Sequence, residues 1–349
     1  MKKIISFLKT DVKIINSYFL LLVILIILIC VGYSSYALFS FSKTSINVIE
    51  GTVGELSKSG TDTLIKLTDN TNDSGLYTIT HAADSTLQIG ANESVTEYRY
   101  RGASPKNYVT FNNEVWRIIG IFPTDDGTGN IENRIKLIRN ESIGNKYWNT
   151  TQVSSTSSYN NWIEATLNTE LNGTYLNGLA GEAQSMIGNA KYYLGGYDGS
   201  ISSGQGFSQT SIDMYSYERK IKNTISNEFY YGTNPNSYNN KLGLIYVSDY
   251  GYASANCENK MLKRVSSSQE DLRTCVNTNW LYNIKVDEWT LSQLTSYYTV
   301  VFYATSDGYV NSNSVNYYQY AVRPVLYLKS NIKITGGNGT STNPYTLGI

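Results

Sequence analysis

Thirteen apolar residues run without a break from Phe19 to Val31, behind Lys2, Lys3, Lys9 and Lys13, with Asp11 the one acid among them. Admitting Tyr, Ser and Gly, the stretch reaches from Ile14 to Phe41. A spanning helix needs roughly 20 mainly apolar residues and a signal-peptide core about 7–15, so the stretch fits both. The Lys-rich flank stays on the cytoplasmic side in either case, which places everything after residue 41 outside the cell. Ser35, Tyr36 and Ala37 end the run, and small residues suit cleavage near Ala37. The chain is therefore expected as a single-pass membrane protein tethered through residues 14–41 with an extracellular C-terminal domain. If cleaved near Ala37, it is instead secreted.

An exported location gives the cysteines a meaning. Cys30 lies in the apolar run, leaving Cys257 and Cys275 as a pair. Outside the cytoplasm such a pair is expected as a disulfide, worth about 3 kcal/mol for a loop of about 18 residues. The alternative is a redox or copper-binding thiol pair, which would be favoured by a CxxC spacing that is not present.

Charge excludes several functions. The 349 residues carry 28 basic and 28 acidic side chains, so no concentrated basic face is expected and nucleic acid is not a partner. Charged residues are 16% and apolar ones 41%, which is not the composition of a disordered chain. The single histidine, His81, argues against a His-rich zinc site and leaves one place for a Ser-His-Asp or Cys-His arrangement. Asp69 to Gly75 has the look of a calcium loop but lacks the acid twelve places after its start; an Asn/Asp turn is expected. No metal and no cofactor is expected. Asp125-Asp126 and Asp287-Glu288 are adjacent pairs, whose side chains diverge on regular elements. A glycosidase needs two carboxyls about 5–9.5 Å apart, which these pairs do not promise.

Three regions are expected: 1–41 as signal or anchor, 42–97 as a linker with short strands, and 98–349 as the folded domain. Asn112-Asn113 between Val109-Thr-Phe and Glu114-Val-Trp predicts a two-residue hairpin turn. Val115 to Phe122 then reads as a central strand, returning through Asp125–Asn130 into Arg134 to Arg139. Asn161 with Glu164 predicts a helix start, Ile163, Leu167 and Leu171 its apolar face, and Gly173 its stop. A second helix is expected over 178–193, and later strands over 242–247, 299–304 and 322–328. Helices placed early, antiparallel strands and long loops describe an α+β fold.

Four blocks carry a family likeness: Tyr98 to Gly120, Asn161 to Asn177, Leu244 to Ala253 with Cys257, Cys275 and Asn279-Trp-Leu, and Val322 to Ser330 with Gly336-Gly-Asn-Gly-Thr. Together, over about residues 73–349, they resemble a family of exported proteins of gut-type Gram-positive bacteria. That family resembles in turn the C-type-lectin-like fold shared with formylglycine-generating enzymes. Gly32 to Ser40, followed by Ile46 to Val53, is similar to the export signals of biofilm-matrix proteins. The resemblance implies a C-type-lectin-like α+β domain. It brings neither catalytic nor calcium-binding residues, because the paired active cysteines and the Glu-Pro-Asn and Trp-Asn-Asp motifs of that fold are missing here.

Candidate contact residues follow from exposure. Trp116 and Trp162 sit on patterned elements and are expected in the core. Trp148 and Asn149 lie in an Asn-rich loop, and both core and contact readings stay open for Trp148. Tyr193, Tyr197, Tyr230 and Tyr231 belong to a Gly/Ser/Tyr/Asn-rich stretch whose rings suit stacking on sugars or peptides. General abundance of Tyr and Asn in the chain is the compositional alternative. Arg323 is expected to meet a buried acid or carbonyl. The function expected is a non-catalytic surface binding or adhesion domain, with glycan or surface protein as partner. A structural surface or biofilm-matrix component is the alternative, and a glycosidase-type enzyme the second alternative.

Overall fold

Asn112 and Asn113 both adopt left-handed backbone, with φ of 54° and 58°. Asn tolerates that region better than other side chains, and two such residues give the turn whose twist matches a hairpin. They join β3 (Tyr108–Phe111) to β4 (Glu114–Asp125), whose run from Trp116 to Phe122 is buried throughout. The computed structural model describes residues 59–150, 159–197, 210–221, 234–262, 269–295 and 297–349, all within the compact unit Ser59–Ile349. The apolar run and the cleavage position expected near Ala37 lie outside the described residues. No helix among the described residues is long and apolar enough to cross a membrane.

The fold is mixed α+β, mostly antiparallel sheet with few, short helices. In the first sheet, β1 (Gly75–His81) is the terminal strand and pairs with β2 (Val95–Arg101). Next come β4, β5 (Ile131–Arg139), β15 (Val325–Tyr327) and β10 (Leu242–Gly243), with β3 paired to β4. The second sheet is built on β11 (Glu288–Leu294), whose seven residues are all buried. It pairs with β12 (Val300–Ala304), which pairs with β13 (Val310–Ser314). Short strands β14 (Tyr320–Ala321) and β8 (Gly196–Tyr197) run parallel to β11, and β6 (Asn145–Lys146) joins β14. Trp116, Trp148, Trp162 and Trp289 have no exposed surface and belong to one continuous core.

The structure departs from the sequence expectation at four places. Residues 59–97 belong to the compact unit: helix α1 (Gly60–Ile65) is capped by Ser59, and Gly60 N donates to Ile332 O at 2.7 Å. Strand β1 matches β2 in unbroken register, and Leu64, Leu76 and Val95 enter the core. The compact unit thus begins at Ser59 and not near Tyr98, because an edge strand needs only scattered apolar residues. Asn161 caps as expected, its Oδ1 accepting from Ile163 N at 3.2 Å, but it caps only the turn Trp162–Glu164. Extended Ala165 separates that turn from α2 (Thr166–Glu170), which continues through a wide π turn, Leu171–Tyr175, to Gly178, so Gly173 stops nothing.

The helix expected over 178–193 is shortened to α3 (Gly181–Met186), followed by strand β7 (Ala190–Tyr193), which pairs with β9 (Ser237–Asn240). The strand expected over 242–247 ends at Gly243, and Val247–Tyr252 forms a helix buried all round. A segment buried on every side shows no period, so strand and helix look alike in sequence.

Candidate functional site

The register of β1 with β2 puts Tyr77, Ile79 and His81 on the same face of the sheet as Glu97, Arg99 and Arg101. Two helices pack over that face: α4 (Ser211–Glu218), started by a Thr210–Asp213 capping box, and α5 (Val247–Tyr252). Between sheet and helices lies a buried charge network. Arg99 donates to Glu97 Oε2 at 2.8 Å and to Asp249 Oδ1 at 2.9 Å, and Lys136 of β5 pairs with the other Asp249 oxygen. Arg219 meets Glu218 at 3.2 Å. Three cations thus face three carboxylates, all with little or no exposure. Each cation also lies over aromatic rings: Arg99 over Phe122 and Tyr252, Lys136 over Tyr246, Arg219 over Tyr215 at 3.8 Å.

The carboxylates differ in their proton affinity. Burial raises the Asp249 carboxyl, but the charges of Lys136 and Arg99 outweigh it and hold the group below the usual range. Glu97 behaves likewise, burial being outweighed by Arg99 and His81. Burial wins at Glu218, which is pushed up despite Arg219 and the hydroxyls of Ser248 and Ser292.

At the rim of this network, between β1 and α4, opens a cleft of about 620 Å³. Five consecutive residues of β1, Tyr77 to His81, line one side. Ile212, Tyr215 and Ser216 of α4 line the other, with Tyr252, Arg101 and Glu258 closing the end. His81 is held firmly: its ring stacks on Tyr215 with centroids 3.5 Å apart, and Nε2 lies 3.3 Å from Glu97 Oε2. The Tyr215 and Tyr252 hydroxyls and Arg101 Nε are buried with no hydrogen-bond partner. Burial raises both hydroxyls well above the ordinary Tyr range, so both remain protonated donors. Arg101 stacks over Tyr77 at 4.2 Å and donates to Asn70 O, Asn72 O and Asn256 Oδ1. It has no carboxylate within ion-pair distance among the described residues.

Of the described residues expected at a contact surface, none lines this cleft. Trp148 is fully buried, its ring 5.0 Å from that of Trp162 and its indole N–H donating to Thr290 O at 3.1 Å. That corrects the exposed reading. Its Asn-rich neighbours are themselves structural, since Asn149 Nδ2 donates to Tyr159 O and Asn149 Oδ1 accepts from Thr166 N. Tyr193 is a buried wall of the charge network, 5.5 Å from Arg219, and its backbone N–H donates to the Tyr246 hydroxyl at 2.7 Å. Tyr197 is buried on β8 against Tyr217. Tyr230 and Tyr231 lie outside the described residues. Cys257 and Cys275 form the expected disulfide, Cα atoms 5.8 Å apart, which ties the segment bearing Glu258 to helix α6 (Gln269–Asn277). Arg323 meets a buried acid as expected, with Nε and Nη2 on the two Glu288 oxygens at 2.7 and 2.6 Å.

One sequence feature belongs to the cleft: the chain's single histidine, His81, at the end of β1. A second aromatic surface is separate from it. Tyr317 and Tyr318 are exposed, and Tyr318 stacks toward Tyr320 and Tyr303 of the second sheet. Asp69 to Gly75 is an Asn/Asp turn, Asp69 Oδ1 accepting from Thr71 N at 2.9 Å and Asn72 Oδ1 from Ser74 N at 3.1 Å. Among the described residues no group of three His, Cys, Asp or Glu side chains could hold a metal ion. No family model matches the chain, and no curated protein and no solved structure matches it either.

Proposed function

We propose that this chain is an exported, surface-associated binding module that holds its ligand in the cleft between β1 and α4 without making or breaking bonds. The observation that carries this reading is the set of three buried, unpartnered donors at the cleft: Tyr215 OH, Tyr252 OH and Arg101 Nε. Buried polar groups in folded proteins are nearly always paired, so unpaired donors on three side chains that line one cleft favour a ligand as a source of acceptors there. The charge network behind the wall fixes these side chains before any ligand arrives, which lowers the ordering cost of binding. Export is supported by the N-terminal apolar run and by the Cys257–Cys275 disulfide. For the finer architecture, the mixed α+β build with long connections supports a C-type-lectin-like arrangement, resting on the four sequence blocks.

A peptide-display library and a glycan array applied to the full chain, in mild detergent, test the reading. Ser216→Trp, which fills the cleft from α4, is expected to weaken every genuine binder at least tenfold. Tyr318→Ala should change nothing. Binders that ignore Ser216→Trp overturn the assignment. The exposed Tyr317–Tyr318 pair favours the second reading, a structural surface or matrix component, since exposed aromatic patches make contacts between copies. Loss of binding or of self-association in Tyr318→Ala alone would bring that reading forward.

A further inference from the structure

Building on the cleft as the contact site, we propose that its occupant is an extended peptide bearing one acidic side chain, added to the outer edge of β1 at Thr80, beyond the stretch that Asp69 and Asn70 already cover. Strand β1 ends the first sheet. Its Leu76 C=O accepts from Asp69 N at 2.9 Å, and its Thr78 N–H donates to Asn70 Oδ1 at 2.8 Å. Both bonds lead away from β2, so the even-numbered residues of β1 turn their backbone groups outward. Thr80, two places on in the same unbroken register, is opposite Thr96, and the two hydroxyls stand 3.3 Å apart as in a close, non-hydrogen-bonded pair. Its N–H and C=O therefore face outward as well, and neither has a partner among the described residues.

An edge strand facing a helix across a gap is the geometry in which peptides add to sheets. Main-chain bonds to the edge supply affinity, and pockets for alternate side chains supply selectivity. Here Thr80 offers the main-chain pair, and Tyr215, Ile79 and His81 offer an aromatic pocket. Charge decides the side chain. Among the described residues Arg101 is a buried guanidinium bonded only to neutral oxygens; Asp69 acts on it through space without pairing to it, which leaves a direct ion-pair position open. A carboxylate on the occupant fills that position. Glu258, on the same rim, disfavours a second acid, and Asp84 is already engaged by Thr86 and Lys220. A glycan main chain carries no alternating N–H and C=O groups at strand spacing to pair with Thr80.

The test uses a phage-displayed random heptapeptide library selected on the full chain, with chitohexaose as the glycan probe. Selected peptides should carry a single Asp or Glu, and changing it to Asn or Gln should weaken binding at least tenfold. Arg101→Gln should abolish that difference. Thr80→Pro removes the outward N–H at an edge position where proline is tolerated, and should weaken binding at least tenfold with the melting temperature kept. N-methylation of the peptide should do the same. Peptides indifferent to Thr80→Pro and to N-methylation overturn the strand-addition proposal, as does failure to select any peptide. Chitohexaose binding that Ser216→Trp abolishes would overturn the peptide proposal yet keep the cleft as the contact site. No ligand sensitive to Ser216→Trp would overturn both.

Discussion

Asp249 takes Lys136 on one oxygen, Arg99 on the other, and the Tyr246 N–H as well. Removing it leaves two buried cations facing rings and one carboxylate, Glu97. Truncating one partner of a buried ion pair typically costs about 3–5 kcal/mol, so Asp249→Ala should lower stability by about that much in urea unfolding. A loss under 1 kcal/mol would mean that water reaches the network. Trp148 illustrates a different balance. Its ring packs on Trp162 and its N–H is satisfied, so Trp148→Ala should cost about 3–5 kcal/mol, the same as Trp116→Ala. Equal losses on chemical denaturation are expected; a Trp148 variant as stable as the parent would return that residue to the surface. Sequence could not decide this residue, because an Asn-rich loop looks solvated whether its amides bond to water or, as at Asn149, to neighbouring backbone. Arg323 was legible, since a charged residue opening an apolar strand has to find a buried acid, and Glu288 is that acid.

Among the elements, the β3–β4 hairpin was fully legible because its turn depends on two residues alone. Asn113→Gly should keep or slightly raise stability, whereas Asn113→Val should cost about 1–2 kcal/mol, the cost of left-handed backbone for an ordinary L-residue. Thermal melts of the two variants check this, and equal melts would contradict the turn geometry. The disulfide was legible from compartment and count. Reduction should cost about 3 kcal/mol, and intact mass should rise by two hydrogens on reduction. Less legible were elements set by tertiary packing. Val247–Tyr252 is helical although every residue is buried, and Gly173 sits inside a π turn that local signals do not announce. Strand β1 falls in the stretch expected as a linker, because its partner β2 begins fourteen residues later, at Val95, with little apolar sequence between. The cleft was missed with it, since its two sides come from residues 77–81 and 212–216, which only the fold brings together.

For the whole molecule, acid should unfold the domain through a defined set of groups. Asp249 and Glu97 have carboxyls held below their usual range, so their contribution is present above the unfolded pKa near 4 and is lost as pH falls. Glu218 is raised, which acts oppositely: stability declines as pH rises from the ordinary Glu range toward its raised value. Unfolding free energy measured by urea should therefore fall below about pH 4. Glu218→Gln should flatten the decline above that range, and a curve unchanged by Glu218→Gln would remove this group from the account. The network thus ties stability to the cleft wall, because Tyr252 and Tyr215, which line the cleft, stack on Arg99 and Arg219 of the network.

Amide hydrogen exchange of the full chain, with and without a ligand selected on it, addresses the cleft most directly. Thr80 N–H has no partner among the described residues and should exchange early in the free protein. On binding, protection should concentrate in residues 77–84 and 212–216, with Thr80 gaining at least tenfold. Protection confined to residues 297–320, or unchanged exchange at Thr80, would contradict the cleft as the contact site.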